Sequence, residues 1–400
     1  MTLFDSLTVL SIEQATTLPY LTLKLAMDGL RVIRLEAPPR GDPNRWVGPP
    51  VLVNQGSETG YEQGMNAYFL PSNLGKQSIT LDMSTEAGQG LLRELIRELP
   101  VDIFATNQRP SSYQKLGIDY ETLSALKPDL IWVGITGFGP QSNEAAYDPI
   151  LQARAGFMEL TGEPDGNPMV FGLPMADLGA GEHAYGLVMR SLYQRAVTGE
   201  GARLDISMFQ SAVSWMVSPV MLSNSFNIPV TRHGNIHQFF APVSVFATAD
   251  SFVYLAVGND RQWEAITHLP GFESLAKAEY IRNSGRIVAV RELNQKLAAI
   301  IKKYSTQEII DNFNNVGVPI SRVNRIPEVC ADPLIADDLV KARDPRSGTV
   351  IAISPPPIIS THLRDHGMMM EFPPRLGEHN EVVFGALGCD VTALQSKGIL

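Results

Sequence analysis

The fold is decided by three consecutive segments, Leu7-Thr-Val-Leu-Ser-Ile12, Leu21-Thr-Leu-Lys-Leu-Ala-Met27 and Val32-Ile-Arg-Leu-Glu36. The first and third are short runs of β-branched and aliphatic residues, which are typical of buried strands. The middle segment belongs to a longer helical pattern. Strand, helix and strand in this order predict a βαβ unit with parallel strands.

The same alternation continues along the chain. It is seen in the strand-like runs 78–83, 101–106 and 130–135 and in the helical patterns 85–99 and 112–126. Repeated βα units predict a mainly parallel sheet with helices on both faces. We therefore expect an α/β, doubly wound, Rossmann-like large domain over residues 1–215.

The turn after the first strand, Glu13-Gln-Ala-Thr-Thr-Leu-Pro19, argues against a nicotinamide cofactor. A dinucleotide-binding turn at this place requires glycines, so that the backbone can approach the pyrophosphate. This turn contains none. We expect no permanently bound cofactor.

The following region has a different pattern. Two strand-like runs, 243–248 and 252–257, are joined by Ala249-Asp-Ser251, which is typical of a hairpin. Helical patterns and a closing strand follow at 261–266, 291–303, 306–315 and 318–323. These elements predict a smaller α+β domain over residues 225–325. Beyond it, residues 330–400 contain Ser354-Pro-Pro-Pro357 and Pro373-Pro374, which predict an extended arm that returns to the large domain.

Composition and charge exclude several classes of protein. The 400 residues carry a formal net charge of -10 without any long run of Lys or Arg, so we expect no nucleic-acid partner. Cys330 and Cys389 lie far apart and outside any CxxC pattern, which excludes a disulfide framework and a cysteine zinc site. No run of about 18 apolar residues and no secretory leader occurs, so we expect a cytoplasmic protein without a membrane partner.

One acidic residue lies where an apolar run becomes a helix, in Gly172-Leu-Pro-Met-Ala-Asp177-Leu-Gly-Ala-Gly181. A carboxylate becomes a nucleophile when its site removes water and holds the electrophile close by. The apolar neighbours of Asp177 suit that role, and Gly179 and Gly181 predict accessible backbone N–H groups for an anion at the helix start. The alternative is that Asp177 caps the helix.

Four basic residues follow predicted strands at the edge where open α/β sheets bind ligands. They are Arg40, Arg45, Arg109 and Lys115. Arginine offers a planar fork for phosphate and lysine a point charge, so this rim suits a phosphorylated ligand. The alternative for each of them is a solvated surface charge.

A loop with an aromatic hydroxyl follows the strand-like run 130–135. Phe138-Gly-Pro140 and Tyr147-Asp148 are suited to form a wall around an acyl group, although Tyr147 fits a buried core position equally well. His233 and His237 lie in a loop pattern without metal-ligand spacing, so we expect no metal. The sequence contains no G-x-S-x-G motif, so it gives no indication of a serine hydrolase.

Taken together, these motifs resemble the class III coenzyme A (CoA) transferase family, which includes formyl-CoA, carnitine and benzylsuccinate CoA transferases and the related methylacyl-CoA racemases. The resemblance covers nearly the whole chain. Its motifs are Gly29-Leu-Arg-Val-Ile-Arg-Leu-Glu36, Gly41-Asp-Pro-Asn-Arg45, Asn73-Leu-Gly-Lys-Gln-Ser-Ile-Thr-Leu-Asp82, Asn107-Gln-Arg-Pro110, Lys115-Leu-Gly117, Gly137-Phe-Gly-Pro140, Tyr147-Asp148, Thr161-Gly162, Asp177, Thr198-Gly-Glu-Gly201, Val257-Gly-Asn-Asp260 and Pro374-Arg-Leu-Gly-Glu-His379.

The resemblance implies that Asp177 is the nucleophile. Its carboxylate would attack an acyl-CoA thioester, giving an aspartyl mixed anhydride and later an aspartyl-CoA thioester. CoA and its thioesters are then substrates. The implied CoA contacts, with Arg40 and Arg45 of the basic rim, are Ala15, Thr16, Thr17, Ala37, Leu81, Asp82, Met83, Ser84, Asn107, Gln108, Arg109, Lys115, Ala145, Ala146, Tyr147 and Asp148. Lys115 stands where relatives commonly have Arg, so its phosphate contact would not be forked.

Two departures discriminate within the family. Racemases use a histidine for proton removal where this chain has Tyr147, and a tyrosine pKa of about 10 favours a transferase over a racemase. The glycine-rich loop of formyl-CoA transferase corresponds to 235–242 here, which makes oxalate a poor acceptor and favours a bulkier acid. Residues expected to line the acid pocket are Phe138, Tyr147, His237, Gln238, Phe239 and Phe240, although adjacent Phe239 and Phe240 also fit a core.

The expected function is transfer of CoA from a donor such as succinyl-CoA to a carboxylic acid, for example a substituted succinate such as benzylsuccinate. The resemblance also implies an interlocked dimer, either a homodimer or a heteromer with a homologous subunit. Two alternatives stay open: an acyl-CoA racemase or intramolecular CoA isomerase of the same fold, and a non-catalytic subunit of a heteromeric CoA transferase.

Overall fold

The computed structural model describes residues 4–54, 56–57 and 59–400. The chain forms two compact units. The first unit holds the described residues up to Ala155 together with Phe171–Met221 and Leu334–Leu400, and the second unit holds Gly156–Val170 and Leu222–Pro333. Residues 156–170 therefore belong to the second unit and not to the large domain expected over 1–215.

Hydrogen bonds over long sequence distances hold residues 156–170 in the second unit. Arg232 donates to the carbonyl of Gly166 at 2.7 and 3.0 Å and pairs with Glu159 at 3.0 Å. The N–H of Gly234 donates to the carbonyl of Gly162 at 2.8 Å. These partners are about 70 residues apart, so no local pattern of the sequence indicates them.

The strands, numbered along the chain, are β1 (Thr8–Ile12), β2 (Arg31–Glu36), β3 (Lys76–Thr80), β4 (Val101–Thr106), β5 (Ile131–Thr136), β6 (Ala202–Ser207), β7 (Val243–Ala247), β8 (Phe252–Ala256), β9 (Ile320–Arg322), β10 (Val340–Arg343), β11 (Val350–Ile353) and β12 (Met369–Met370). The helices are α1 (Thr17–Met27), α2 (Glu86–Glu98), α3 (Tyr113–Leu116), α4 (Tyr120–Leu126), α5 (Asp148–Arg154), α6 (Phe157–Leu160), α7 (Met175–Thr198), α8 (Met208–Ser214), α9 (Val217–Phe226), α10 (Asp260–Thr267), α11 (Asn283–Val288), α12 (Val290–Ile301), α13 (Thr306–Asn314), α14 (Ile326–Cys330), α15 (Thr361–Asp365), α16 (Asn380–Ala386) and α17 (Val391–Ser396).

The first unit is built on a six-stranded parallel sheet in the order β3-β2-β1-β4-β5-β6. Every residue of β1 and β5 is buried, because helices cover both faces of such a sheet. The strands predicted over 7–12, 32–36, 101–106 and 130–135 are confirmed to within one residue. The mixed α/β fold with a parallel central sheet is therefore as expected.

Three local features of the first unit differ from the expectation. The strand expected over 78–83 begins earlier and ends at Thr80, as β3. The helix expected over 112–126 is two helices, α3 and α4, because Gly117 takes a left-handed conformation with φ of +67° and ends the first of them. Strand β6 was not predicted. Its Arg203 and Asp205 are exposed at the edge of the sheet and interrupt the apolar run.

The connections after β1 and β4 create a crevice. The chain proceeds from β1 to β2 and β3 on one side of the sheet, and from β4 to β5 and β6 on the other. The loops that leave neighbouring strands β1 and β4 thus diverge, and open α/β sheets bind ligands at this switch point. Gln14 and Asn107 tie the two loops together through reciprocal hydrogen bonds of 3.1 and 2.8 Å.

The C-terminal residues are more structured than the extended arm expected over 330–400. Strands β10, β11 and β12 form a small sheet in the order β11-β10-β12, and three helices accompany it. This segment also covers edge strand β3. The N–H of Ser78 donates to Nδ1 of His379 at 3.2 Å, and the N–H of Thr80 donates to Oδ1 of Asn380 at 2.8 Å, so edge N–H groups that would otherwise be unpaired are satisfied.

The second unit has its own sheet and core. The predicted hairpin is confirmed as β7 and β8, and β9 pairs antiparallel with β8. Helices α10, α12 and α13 supply Trp263, Leu297 and Phe313 to a core with Val253 and Leu255. Throughout residues 4–54, 56–57 and 59–400, no helix combines the length and apolar character needed to cross a membrane.

Candidate active site

A cleft of about 890 Å³, open mouth included, lies at the carboxyl edge of the parallel sheet, at the switch point between β1 and β4. The loops after β1, β4 and β5 and the first turns of α5 and α7 form its walls. Its lining residues are Gln14, Ala15, Thr17, Asn107, Gln108, Arg109, Pro110, Ile135, Thr136, Gly137, Ser142, Asn143, Glu144, Ala145, Ala146, Tyr147, Asp148, Asp177 and Met208. Asp177 and half of the expected CoA contacts are therefore at one site.

Asp177 is the third residue of α7, which begins after Pro174. Its Oδ1 accepts a hydrogen bond from the hydroxyl of Thr17 at 2.5 Å. In the described part of the chain no hydrogen bond to Oδ2 is present. The alternative that Asp177 caps its own helix is wrong, since its side chain accepts no backbone N–H of α7.

Asp148 occupies the helix start instead. Its Oδ1 accepts the N–H groups of Ala176 at 2.7 Å and Asp177 at 3.1 Å, and its Oδ2 accepts Nε2 of Gln152 at 2.6 Å. The side chain is only 7% exposed. Asp148 was expected to contact CoA. Its carboxylate is committed to the first turn of α7, and we therefore interpret it as the residue that positions Asp177.

Gly179 and Gly181 have a different role from the one expected. They do not expose backbone to an anion, because both are buried where α7 meets its neighbours. A Cβ at Gly179 would lie 2.7 Å from the Trp215 ring, and a Cβ at Gly181 would lie 2.7 Å from the Tyr20 ring. The two glycines allow close helix packing.

The pKa of Asp177 is raised to about 6. Burial of the carboxyl is the largest cause, the nearby charge of Asp148 adds to it, and the hydrogen bond from Thr17 opposes it. The group is thus ionised at neutral pH but poorly solvated. A carboxylate of this kind is a better nucleophile than one in water.

The raised pKa of Asp177 gives a pH dependence. If the ionised carboxylate attacks, kcat/KM is expected to be flat above pH 7 and to fall tenfold per pH unit below about pH 6. The measurement is initial rate against pH at subsaturating acyl-CoA. A flat profile down to pH 4.5 would contradict the assignment.

The same shift affects stability. Because the folded pKa of about 6 lies above the ordinary value of 3.8, ionisation of buried Asp177 destabilises the native state at neutral pH. We expect Asp177→Asn to raise the free energy of unfolding by about 1 to 3 kcal/mol at pH 7.5. The gain should shrink as the pH falls from 6 towards 4. Denaturant titrations of wild type and Asp177→Asn at pH 7.5 and near pH 4 measure this difference. An equal gain in the free energy of unfolding at the two pH values would contradict it.

Apart from Arg45 and Leu81, the expected CoA contacts divide into three groups. Ala15, Thr17, Asn107, Gln108, Arg109, Ala145, Ala146, Tyr147 and Asp148 line the main cleft. Ala37, Asp82, Met83 and Ser84 line an adjoining cleft of about 670 Å³, open mouth included, which shares Gln14 and Gln108 with the first. Arg40 and Lys115 are exposed outside both sets of lining residues, and Thr16 is the N-cap residue of α1.

Two expected CoA contacts are buried and line neither cleft. Arg45 is 1% exposed. Its guanidinium donates hydrogen bonds to the Glu36 carboxylate at 2.6 and 2.7 Å and to the carbonyl of Pro374 at 3.1 Å. Leu81 is fully buried in the core of the first unit. The side chains of Arg45 and Leu81 are therefore not available to a ligand, and those two assignments are corrected.

The residues expected at the acid pocket lie in different places. Tyr147 lines the cleft and is 75% exposed, so the alternative of a core aromatic is wrong. Phe138 packs against the Phe209 ring at 5.8 Å and under the guanidinium of Arg154 at 4.3 Å, and it is not among the lining residues. Its expected place in the acid pocket stays a prediction.

His237, Gln238 and Phe239 belong to the second unit. The His237 ring lies 6.0 Å from the ring of Phe239 and 5.0 Å from that of Phe240. Phe239 and Phe240 are exposed, so they are not core residues. Their part in an acid pocket stays a prediction.

A buried ionic cluster beside the cleft was missed from sequence. Its members, three acidic and three basic, are Glu13, Arg34, Glu36, Asp42, Arg45 and Lys76, joined by ion pairs of 2.6 to 3.7 Å. Asp42 connects this cluster to the loop that lines the cleft. Its Oδ1 accepts the N–H of Ala15, which has a left-handed φ of +63°. The available signal was Arg34 and Glu36 within an otherwise apolar strand, because charges in such a strand must be paired.

Comparisons with known proteins show the family of the chain. The family model for CoA-transferase family III matches residues 4–380. The succinate–glutarate CoA-transferase of Agrobacterium fabrum is 33% identical over 95% of this chain and 94% of its own. The succinyl-CoA:mesaconate CoA-transferase of Haloarcula marismortui is 31% identical over 96% of both chains. A CAIB/BAIF family protein from Brucella suis, whose crystal structure is known, superimposes with a TM-score of 0.83 at 30% identity and covers 96% of this chain and 99% of that one.

The chain belongs to CoA-transferase family III. It is a class III CoA transferase, and CoA thioesters are the substrates of this family.

Proposed function

We propose that the chain moves CoA from a donor acyl-CoA, with succinyl-CoA as the first candidate, to a second carboxylic acid through covalent intermediates on Asp177. One observation carries this proposal. Asp177 places a desolvated carboxylate in the switch-point cleft with Oδ1 held by Thr17 and Oδ2 without a hydrogen bond in the described chain. Oδ2 is then the attacking atom.

The proposed chemistry has four steps. Oδ2 attacks the thioester carbon of the donor, the carbon–sulfur bond breaks, and a mixed anhydride and CoA thiolate form. The thiolate then attacks Cγ of Asp177 and displaces the donor acid, which leaves an aspartyl-CoA thioester. The acceptor carboxylate attacks the same Cγ and displaces the thiolate. Finally the thiolate attacks the acceptor acyl carbon, which releases the acceptor-CoA and restores the Asp177 carboxylate.

The choice of a dicarboxylic acid is supported by the relatives. Their names specify succinate and glutarate in Agrobacterium fabrum and succinyl-CoA and mesaconate in Haloarcula marismortui. We propose a dicarboxylate acceptor here, with substituted succinates such as benzylsuccinate among the candidates. Because the segment with His237, Phe239 and Phe240 corresponds in sequence to the glycine-rich loop of formyl-CoA transferase, the proposal includes an acceptor with an apolar substituent.

The test is an acceptor panel with purified chain and succinyl-CoA. Glutarate, mesaconate, oxalate and benzylsuccinate are compared by kcat/KM, and the new CoA ester is identified by mass. Activity that needs no acceptor acid, with deuterium uptake at the α-carbon in heavy water, would instead indicate a racemase or isomerase. Inactivity of the pure chain with every donor and acid would favour the non-catalytic subunit.

We propose further that the active form is an interlocked dimer. Light scattering on the purified chain should give twice the mass of one chain. If the chain is instead a monomer that becomes active only after a homologous subunit is added, the active form is a heteromer and not a homodimer.

We propose that Arg109, which is exposed and lines the cleft, contacts a CoA phosphate. We expect Arg109→Gln to raise KM for acyl-CoA about tenfold with kcat nearly unchanged, because a charge-assisted hydrogen bond contributes about 1.5 kcal/mol. Arg97→Gln, on α2 and outside both clefts, is the matched control. Equal KM values for the two variants would contradict the contact.

A further inference from the structure

Thr17 is held against Asp177 by the packing of α1 on α7. Its side chain is 4% exposed. Further along the same two helices, the Tyr20 hydroxyl donates to Glu182 at 2.6 Å and Lys24 pairs with Glu182 at 2.8 Å. Gly181 allows this approach, since its missing Cβ would lie 3.3 Å from the carbonyl of Thr17. The hydroxyl is thus fixed by its helix.

The start of α7 offers no other donor to the Asp177 carboxyl group. The N–H groups of Ala176 and Asp177 donate to Asp148, and the N–H of Leu178 donates to the carbonyl of Pro174 at 2.9 Å. Helix N-termini commonly stabilise anions through such groups, but here they are occupied. Within the described residues, the hydrogen bond that Oδ1 of Asp177 accepts comes from the Thr17 hydroxyl.

We infer that the Thr17 hydroxyl is the oxyanion donor for the two steps that take place at Cγ of Asp177. This inference rests on the proposed covalent role of Asp177. When CoA thiolate attacks Cγ of the anhydride, the carbonyl electron pair moves to Oδ1, and the tetrahedral intermediate then expels the donor acid. When the acceptor carboxylate attacks the aspartyl-CoA thioester, charge develops on Oδ1 again, and CoA thiolate leaves.

The four steps of the reaction are therefore not equally dependent on Thr17. The first and last occur at a substrate carbonyl carbon, and their oxyanion lies on the substrate. The second and third occur at Cγ, and their oxyanion is the atom that lies 2.5 Å from the Thr17 hydroxyl. Loss of one oxyanion donor typically slows the affected step by about 10²- to 10³-fold.

The experiment compares Thr17→Val with wild type by rapid acid quench and intact-protein mass after mixing with succinyl-CoA. The anhydride adds a succinyl group to the protein, and the aspartyl-CoA thioester adds CoA less one water, so intact mass distinguishes the two adducts. We expect anhydride to form in Thr17→Val within about threefold of the wild-type rate, because the first step does not use the donor, and its conversion to the thioester to slow about 10²-fold. Thr17→Ser keeps the hydroxyl and should restore the conversion.

A second readout is the acid limb of the pH profile. Removal of the hydrogen bond should move this limb to higher pH in Thr17→Val and not in Thr17→Ser, since the bond to Thr17 lowers the pKa of Asp177. Ser11→Ala is the matched control. It removes a buried hydroxyl of β1 that has no hydrogen-bond partner in the described chain, and its kinetics should match wild type. If Thr17→Val does not fold, Thr17→Ala takes its place.

Wild-type conversion of anhydride to thioester in folded Thr17→Val or Thr17→Ala would overturn the inference while the role of Asp177 stands. A slowing of every step to the same extent would also overturn it, because a general structural defect has that signature. Absence of any adduct on Asp177 in the wild-type protein would instead reject the proposed function.

Discussion

Replacement of Asp177 by asparagine is expected to lower kcat for CoA transfer by at least about 10⁴-fold, because the variant has no carboxylate to carry the acyl group. The amide preserves the shape of the side chain and can still accept the hydrogen bond from Thr17. The folded structure should therefore be kept. The measurement is the exchange of labelled succinate into succinyl-CoA, which needs only the donor half of the reaction.

Glu144→Gln is the matched control for that variant. Glu144 is a second carboxylate in the same cleft, but it is exposed and paired with Arg154 at 2.9 Å. Its neutralisation should change kcat by less than about threefold, because exposed ion pairs contribute little. Near-wild-type exchange in Asp177→Asn, or an equal loss in both variants, would contradict the nucleophile assignment.

Loss of the Asp148 carboxylate should have the second largest effect. Asp148→Ala leaves the N–H groups of Ala176 and Asp177 without their acceptor. It also removes one of the two acceptors of Gln152 Nε2, which still donates to the carbonyl of Leu173 at 3.1 Å. We expect the free energy of unfolding to fall by about 1 to 3 kcal/mol. Because Asp177 is then less well positioned, kcat should fall about 10²-fold. Denaturant titration and steady-state kinetics measure the two effects.

A matched helix cap separates the two effects of Asp148→Ala. Asp119 caps α4 by accepting the N–H of Thr122 at 2.9 Å, and it lines neither cleft. Asp119→Ala should lose about 1 kcal/mol of stability and keep its kcat. An equal loss of kcat in both variants would show that general destabilisation, and not the position of Asp177, limits the rate.

The parallel sheet could be predicted because its strands are buried on both faces. Strands β1, β4 and β5 appear in the sequence as short runs that are mostly apolar, and their positions are confirmed to within one residue. Strand β6 could not be found by this signal, since it alternates apolar residues with exposed Arg203 and Asp205. Residues 156–170 were expected in the large domain but belong to the second unit, because hydrogen bonds from Arg232 and Gly234, about 70 residues away in the sequence, hold them there.

The sequence indicates which loops and which types of residue meet at the cleft. It does not indicate which charged side chains are exposed there and which are buried. Arg45 and Arg109 both follow strands and look alike in sequence, yet Arg45 is neutralised by Glu36 inside the protein and Arg109 is exposed at the cleft. The contact between Asp148 and the start of α7 joins residues 28 and 29 positions apart. Tertiary contacts of this kind have no local sequence pattern.

The most direct test of the central claim is chemical trapping of the acyl group on Asp177. Wild-type protein is incubated with succinyl-CoA and hydroxylamine, digested, and analysed by peptide mass mapping. We predict a hydroxamate on Asp177, at a yield that depends on succinyl-CoA and is lost in Asp177→Asn. Turnover at the full rate with an unmodified Asp177, or a hydroxamate on another residue, would contradict the account.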